Sequence, residues 1–261
     1  MTLAQPTRRM VCGMNGASVG AQMNAFSTPP APGFRVNGEA SRTGFQRSIE
    51  LRGPAGRLEA VLNQGAAHAR FAALVCHPHP LGGGTLHNKV VYHAMKVMNA
   101  PEWGFCAPVL RFNFRGTGLS EGAHDGVAEA EDVLSALDWL GSEFQLQVVA
   151  AGFSFGAAMI WSACCGRHSE KNIRGLALLG LPTNAPGRDY RYPQMEHCAI
   201  PKLFLSGDRD QFAPVESLKA LAGKAAAPRR IDLVHGADHF FSGHLDAMQQ
   251  ALAAWLKEPM Q

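Results

Sequence analysis

The sequence lacks the features that mark several large classes of protein. Charged residues make up only 17% of the 261 residues, and the net charge of +3 comes without a dense cluster of lysine and arginine. A nucleic-acid groove needs such a cluster to contact phosphates, so we expect no nucleic-acid partner. No apolar run approaches the roughly 18 residues that cross a bilayer, so we expect no membrane partner either.

Paired metal-binding or redox cysteines are also missing. None of the six cysteines forms a C-x-x-C pair, which argues against zinc ribbons and thioredoxin-like chemistry. Several cysteines lie in apolar segments, as buried free thiols do. This pattern favours a reducing, cytoplasmic location without structural disulfides.

The first 44 residues differ from the rest of the chain in their pattern of apolar and polar residues. Arg8 and Arg9 are followed by a stretch broken by glycines and asparagines, which makes a poor apolar core for an export signal. We expect residues 1–44 to form a flexible extension and residues 45–261 to form one domain. A hydrophobic content of 46% is enough for a sizeable core.

Strand and helix patterns alternate from residue 45 onward. Segments 45–53 and 56–63 alternate apolar and polar residues around a Gly-Pro turn, which predicts an antiparallel hairpin. Short apolar runs typical of buried strands then alternate with amphipathic segments. The predicted strands are 71–76, 108–114, 146–152, 175–181, 202–207 and 230–236, and the predicted helices are 87–99, 127–140, 156–165, a segment from 214, and 242–257. The fold class is therefore α/β, with a mostly parallel sheet, helices on both faces and the hairpin at one edge.

A G-x-S-x-G pentapeptide, Gly152 to Gly156, stands where one apolar strand meets a helix. Sites in open α/β sheets form at the carboxyl ends of strands. The turn from strand to helix is sharp, so side chains two residues before and after Ser154 would collide. The glycines therefore fit an exposed serine hydroxyl that acts as a nucleophile, with an ordinary turn residue as the alternative, since the pentapeptide by itself also occurs by chance in glycine-rich chains.

Two later strands end in titratable groups that could activate this serine. The segment "SGDRDQF" follows one strand, and "GADHFF" follows the next. A hydroxyl needs an imidazole to remove its proton and a carboxylate to orient that imidazole. The order Ser, Asp, His predicts a catalytic triad at one rim of the sheet.

These motifs, with "CHPHPLGGGT" and "RFNFRGTGLSEG", resemble the serine α/β-hydrolase superfamily. The nearest likeness is to a small, lid-poor esterase group related to dienelactone-hydrolase-like proteins. The resemblance covers residue 45 to the end and implies an α/β-hydrolase fold without a large cap domain. It also implies Ser154 as nucleophile, His239 as general base and then acid, and an aspartate of "GDRD" as the orienting acid, with no cofactor.

The residues leave a choice at two triad positions. The family pattern G-x-x-D points to Asp210, with Asp208 as the alternative that would instead cap its loop. His235 and His244 compete with His239, which stands in the loop before the last helix, where the family has its base.

The oxyanion hole needs two N–H donors. One is the backbone of Phe155, next to the nucleophile. The family motif H-G-x-P maps the second onto His79, although Pro78 replaces the family glycine, and Leu81 is the alternative. Histidines 77 and 79 could also chelate a metal as H-x-H, but no third ligand with suitable spacing stands nearby, so we expect no metal.

The expected function is a carboxylesterase-like hydrolysis of short-chain or small esters through an acyl-enzyme. Only about 20 residues, 182–200, separate two strands where family members that bind large lipids often insert a lid. Phe153, Leu81 and Tyr190 are candidate substrate-binding residues. A peptidase or thioesterase on the same fold remains an alternative, as does a non-catalytic binding protein.

Overall fold

The computed structural model describes residues 45–167, 172–185 and 187–258. The predicted flexible extension, residues 1–44, lies outside the described residues and stays a prediction. No helix in the described ranges has the length and apolar character needed to span a bilayer.

An eight-stranded sheet forms the centre of the described structure. Its strands are β1 (Gln46–Gly53), β2 (Gly56–Asn63), β3 (Ala72–Cys76), β4 (Val109–Phe112), β5 (Val148–Phe153), β6 (Ile173–Leu179), β7 (Lys202–Gly207) and β8 (Arg229–Val234). They lie in the order β1-β2-β4-β3-β5-β6-β7-β8. The pairs β1–β2 and β2–β4 are antiparallel, and every other neighbouring pair is parallel. The predicted antiparallel hairpin at the edge of a parallel sheet is confirmed.

Helices cover both faces of this sheet. They are α1 (Lys89–Asn99), α2 (Glu129–Phe144), α3 (Phe155–Trp161), α4 (Val215–Gly223) and α5 (Leu245–Lys257). Side chains of α2, α3 and α4 pack in one hydrophobic cluster, whereas those of α1 and α5 pack in a second. The central strands β3, β5 and β7 are buried throughout, so their near-continuous apolar sequences match two covered faces.

The helix after Ser154 is shorter than predicted. Regular α-helix ends at Trp161, and a wider π-helical turn runs from Ser162 to Arg167. Within that turn Cys165 forms a disulfide with Cys198, 33 residues further along the chain. The expectation that the cysteines form no structural disulfide is therefore wrong. Sequence spacing did not reveal the bond because the fold alone brings the two Cα atoms to 5.3 Å.

The connection from β6 to β7 carries no large cap. Between Leu179 and Lys202 the described residues contain only turns and one isolated bridge, between Ala185 and Arg188. The hydroxyl of Tyr192 donates to the carbonyl of Pro182 at 2.5 Å within the connection, and Nε1–H of Trp161 in α3 donates to the carbonyl of Pro193 at 3.0 Å, which holds the connection against that helix. The described residues of this connection therefore place no inserted helix over the rim of the sheet.

Candidate active site

The carboxyl ends of the central strands meet at one rim of the sheet. Gly152 at the end of β5 pairs with Cys76 of β3 on one side and with Leu178 of β6 on the other. The residues that follow these strands, His77, Ser154 and Gly180, therefore lie at the same level. The loops after β7 and β8 complete the rim, since Gly207 pairs with Val234.

Ser154 adopts a backbone conformation that non-glycine residues rarely use. Its φ is 55° and its ψ is −117°, at the junction of β5 and α3. The amide of Ser154 donates to the carbonyl of Leu179 at 2.8 Å, which holds the strained turn against β6. Its side chain makes no capping hydrogen bond although it stands directly before α3. Such strain concentrates at functional sites, and this turn has the conformation expected of a nucleophile elbow.

The two glycines of the pentapeptide are needed for close approach. A Cβ atom at Gly152 would lie 2.5 Å from the carbonyl carbon of Gly156, and one at Gly156 would lie 2.5 Å from the carbonyl oxygen of Cys76. Both distances are far below van der Waals contact. Any side chain at these positions would therefore push α3 away from the sheet.

His239 is hydrogen bonded to Asp210. Its Nδ1–H donates to Oδ2 of Asp210 at 2.8 Å, and each residue is 3% exposed. The histidine ring is packed between Phe153 and Phe212, with ring centroids 4.9 and 4.8 Å away. A bond to Nδ1 leaves Nε2 as the nitrogen available to a reacting group.

Further donors surround the Asp210 carboxylate. Oδ2 also accepts from the hydroxyl of Ser206 at 2.9 Å, and Oδ1 accepts from the amides of Phe212 and Ala213 at 2.8 and 3.1 Å. Burial by itself would raise the pKa of Asp210, but the bond and charge of His239 and the other donors hold the pKa below its ordinary value. The carboxylate is therefore ionised at neutral pH. Sequence reasoning assigned no role to Ser206, although it stands in the same "SGDRD" segment.

Asp208 makes a different pair at the surface. Its carboxylate accepts from Nδ1 of His235 and from the amide of Gly236, each at 2.7 Å. The His235 side chain is 95% exposed. The structure thus joins Asp210, and not Asp208, to His239, and it uses Asp208 to close the loop after β8.

Gly180 lies between His239 and the elbow. A Cβ atom at Gly180 would come within 3.1 Å of Cε1 of His239 and 3.2 Å of the ring of Phe153. The residue before it, Leu179, accepts the amide of Ser154. The imidazole and the serine therefore flank the same short segment, although among the described residues no hydrogen bond joins His239 to Ser154.

His77 organises the loop that follows β3. It is fully buried, its Nδ1–H donates to the carbonyl of Pro78 at 2.6 Å, and its Nε2 accepts the amide of Phe114 at 3.0 Å. Burial lowers the pKa of His77 to about 4, so the ring is neutral with its proton on Nδ1. Both nitrogens are thus occupied by backbone groups, which leaves none for a metal.

The two residues predicted to supply the oxyanion donors are in side-chain contact. Phe155 is the first residue of α3, so its N–H has no partner within the helix. The ring of His79 packs on that of Phe155, with centroids 4.9 Å apart. The amide of Leu81 instead donates to Nδ1 of His79 at 3.2 Å. This bond occupies the alternative donor and favours His79.

A second histidine–carboxylate pair, which the sequence analysis did not single out, adjoins these donors. Nδ1 of His124 lies 2.5 Å from Oε1 of the fully buried Glu129. The ring of His124 contacts His79 and Phe155, with centroids 4.7 and 5.5 Å away. The only sequence signal is an acidic first turn in α2, which does not indicate that His124 reaches the rim.

Known proteins with a similar sequence identify the family of this chain. A family model described as an alpha/beta hydrolase domain matches residues 108–256. An uncharacterized protein of Rickettsia prowazekii is 35% identical over 217 residues, which cover 80% of this chain and 87% of that protein. The chain belongs to the alpha/beta hydrolase family.

Two solved structures of serine hydrolases are similar to this hydrolase in both sequence and fold. An alpha-beta serine hydrolase homologue from Coxiella burnetii is 31% identical, with a TM-score of 0.70 over 80% of this chain and 96% of that one. A serine hydrolase without a lid from Xanthomonas campestris is 25% identical, with a TM-score of 0.69 over 81% of this chain and 94% of that one. The expected α/β-hydrolase fold without a large cap is confirmed.

The candidate substrate-binding residues of this hydrolase differ in exposure. Leu81 is 79% exposed, whereas Phe153 is fully buried beneath His239. Tyr190 is partly buried, and desolvation raises its pKa although the nearby Arg188 opposes this shift. Leu81 and Tyr190 are thus accessible to a ligand, while the position of Phe153 favours support of the histidine ring.

Proposed function

We propose that this hydrolase cleaves small carboxylic esters through an acyl-enzyme formed on Ser154. The observation that carries the proposal is the buried hydrogen bond between His239 and Asp210. Gly180 lies between the His239 ring and the strained strand-to-helix turn at Ser154. Within the family, these three residue types in this chain order form a triad. The substrate is a small molecule, and no metal or cofactor takes part in the proposed steps.

The first step is attack by the serine. Nε2 of His239 removes the proton from the Ser154 hydroxyl as the oxygen adds to the ester carbonyl carbon. The Asp210 carboxylate keeps the other nitrogen protonated and stabilises the imidazolium that forms. Hydrogen bonds of this kind are often long or absent in a protein without substrate and tighten when the substrate binds.

The backbone amides of Phe155 and His79 donate hydrogen bonds to the carbonyl oxygen and stabilise the negative charge that develops on it. Their side chains contact one another, so the two N–H groups belong to adjoining parts of the rim. One such donor contributes roughly 10²–10³-fold to kcat in serine hydrolases. The imidazolium then protonates the leaving alcohol, the carbon–oxygen bond breaks, and His239 activates a water that releases the acid and regenerates Ser154.

The short β6–β7 connection supports a preference for small substrates. The connection is held against α3 by the hydrogen bond from Trp161 to the carbonyl of Pro193, and its described residues form no covering helix. A long acyl chain would therefore find no enclosed apolar channel there. We expect activity to be highest with short acyl groups and to fall towards palmitate in a fluorogenic ester series, and a maximum at long chains would contradict this part of the proposal.

The decisive experiment is labelling with a fluorophosphonate probe. Only an activated serine reacts with such a probe, so we expect one label per chain in the wild type and none in Ser154→Ala. Ser142→Ala provides the matched control, because Ser142 is exposed on α2 and donates only to its own helix. No labelling of a folded wild-type protein would indicate a non-catalytic binding protein.

A substrate panel then separates the three hydrolytic activities. Matched acetyl ester, thioester and amide substrates should give the highest kcat/KM for the ester. The Ser154→Ala variant should lower kcat by roughly 10⁴ to 10⁶ with circular dichroism unchanged. A higher kcat/KM with the thioester or the amide would replace the esterase assignment by that activity.

A further inference from the structure

A cavity lies at the opposite end of the sheet from Ser154. It has a volume of about 570 Å³, and we call it the basal cleft. Its lining comes from the segments before β3 and β4, from β6 and from the end of α5: His68, Arg70, Phe71, Trp103, Phe105, Arg174, Leu256 and Lys257 among others. Arg174 stands six residues before Gly180, so at about 3.3 Å per strand residue the cleft is roughly 20 Å from the rim that carries the candidate triad.

The charge of the basal cleft is positive. Arg70, Arg174 and Lys257 contribute three cations, and no carboxylate of the described residues pairs with them. The one acid in the lining, Glu258, is bound by the guanidinium of Arg230. Three positive charges beside a single carboxylate that is already paired favour an anionic ligand.

Arg174, in the wall of the cleft, has a hydrogen-bond donor without a partner. Its Nε atom is buried and has no hydrogen-bond partner among the described residues. Buried donors are nearly always paired, so an unpaired one indicates a missing acceptor. The guanidinium is held in place over the ring of Phe71, 6.0 Å from its centroid. A planar carboxylate matches the forked donors of an arginine.

The remaining walls of the cleft are aromatic. Phe71 and Phe105 contact each other, with ring centroids 5.9 Å apart, and Trp103 lies in the same lining. Aromatic walls favour a flat apolar ring. A cavity of this volume falls within the range of small-ligand sites.

We infer that the basal cleft is a second binding site, which takes a small aromatic carboxylate with its ring against Trp103 and Phe105 and its carboxylate on Arg174. This site is separate from the triad and does not depend on the proposed esterase activity. Lys257, at the end of α5, adds charge at the mouth of the cleft.

Calorimetric titration of the full chain with 2-naphthoate tests this inference. We expect one-to-one binding with a Kd below about 1 mM, and at least tenfold weaker binding in Arg174→Gln, which removes one charged hydrogen-bond donor pair. Lys257→Gln should weaken binding by a smaller factor, and it remains informative if Arg174→Gln does not fold. Lys219→Gln is the matched control, because Lys219 is exposed on α4 and paired with Glu216.

Two further titrations separate this site from the active site and from unspecific apolar binding. The Ser154→Ala variant should bind 2-naphthoate with the wild-type Kd. Neutral 2-naphthamide should bind at least tenfold more weakly than the acid. Equal binding of acid and amide, unchanged binding in both Arg174→Gln and Lys257→Gln, loss of binding in Ser154→Ala, or no binding to the wild type would each overturn the inference.

Discussion

Gly180 leaves the space that the ring of His239 occupies. A Cβ atom at position 180 would lie 3.1 Å from Cε1 and 3.2 Å from Nδ1 of that ring. Gly180 also has a φ of +54°, which disfavours any side chain. The end of β6 thereby sets the position of the imidazole, and sequence analysis assigned no role to this glycine.

Replacement of Gly180 by alanine should displace His239. The added methyl group would press on the imidazole and on Phe153, so the ring would tilt relative to Ser154. We expect kcat for a short ester to fall at least about tenfold, since small displacements of a catalytic group cost up to roughly 10² in rate. The measurement is steady-state kinetics on the purified variant.

Gly223→Ala is the control for this change. Gly223 ends α4, has no atom within 4 Å of its Cβ position and does not have a positive φ. Its activity should equal that of the wild type. Wild-type kcat in Gly180→Ala would mean that the ring position does not limit the reaction.

The two aspartates of the β7–β8 rim should respond differently to amide substitution. Asp210→Asn removes the charge that orients His239, and we expect kcat to fall by about 10²–10⁴. Asp208→Asn disturbs only the exposed pair with His235, so kcat should change by less than about threefold. Matched kinetics of the two variants provide the measurement, and equal losses would contradict the assignment of Asp210 as the orienting acid.

Protonation of His77 should destabilise the fold in mild acid. The folded pKa is about 4, whereas an unfolded histidine has a pKa near 6.5. Between these values the unfolded chain binds a proton that the folded chain excludes, so this contribution to stability is complete above pH 6.5 and falls as the pH is lowered. At pH 4.5 the free energy of unfolding is lower by roughly 2–3 kcal/mol than above pH 6.5, because one pKa unit corresponds to about 1.4 kcal/mol.

Urea unfolding of the wild type and of His77→Gln at pH 7.5 and pH 4.5 checks this effect. A glutamine can accept from the amide of Phe114 and donate to the carbonyl of Pro78 without titrating. The difference in free energy of unfolding between the wild type and His77→Gln should therefore narrow by roughly 2–3 kcal/mol in acid. His197→Gln, at an exposed position, should show no such change. A gap that is the same at both pH values would refute the buried neutral state of His77.

Removal of the Cys165–Cys198 bond should lower stability but leave the site in place. Closing a separation of 33 residues corresponds to about 3–4 kcal/mol of chain entropy. We expect the double variant Cys165→Ala/Cys198→Ala to lose a comparable free energy of unfolding and to keep fluorophosphonate labelling of Ser154. Thiol titration of the unreduced, unfolded wild type should find two fewer thiols than after reduction, and equal counts would exclude the disulfide.

Local chemistry determined the parts of this protein that could be predicted from the sequence. A strand buried on both faces needs a continuous apolar run, and a sharp strand-to-helix turn around Ser154 needs small neighbours. Both requirements act within about ten residues, so they predicted the order of strands and helices, the hairpin edge and the elbow. The spacing of "GDRD" limited the orienting acid to two aspartates.

Only the tertiary structure decided which of those aspartates meets His239, because Asp208 and Asp210 lie two residues apart and differ in the direction in which the loop turns them. The same holds for the Cys165–Cys198 bond, for His124 beside His79, and for the basal cleft around Arg174. Each of these contacts joins segments that are remote in the chain. Their distances follow from strand register and helix packing across the whole sheet, which no short stretch of sequence specifies.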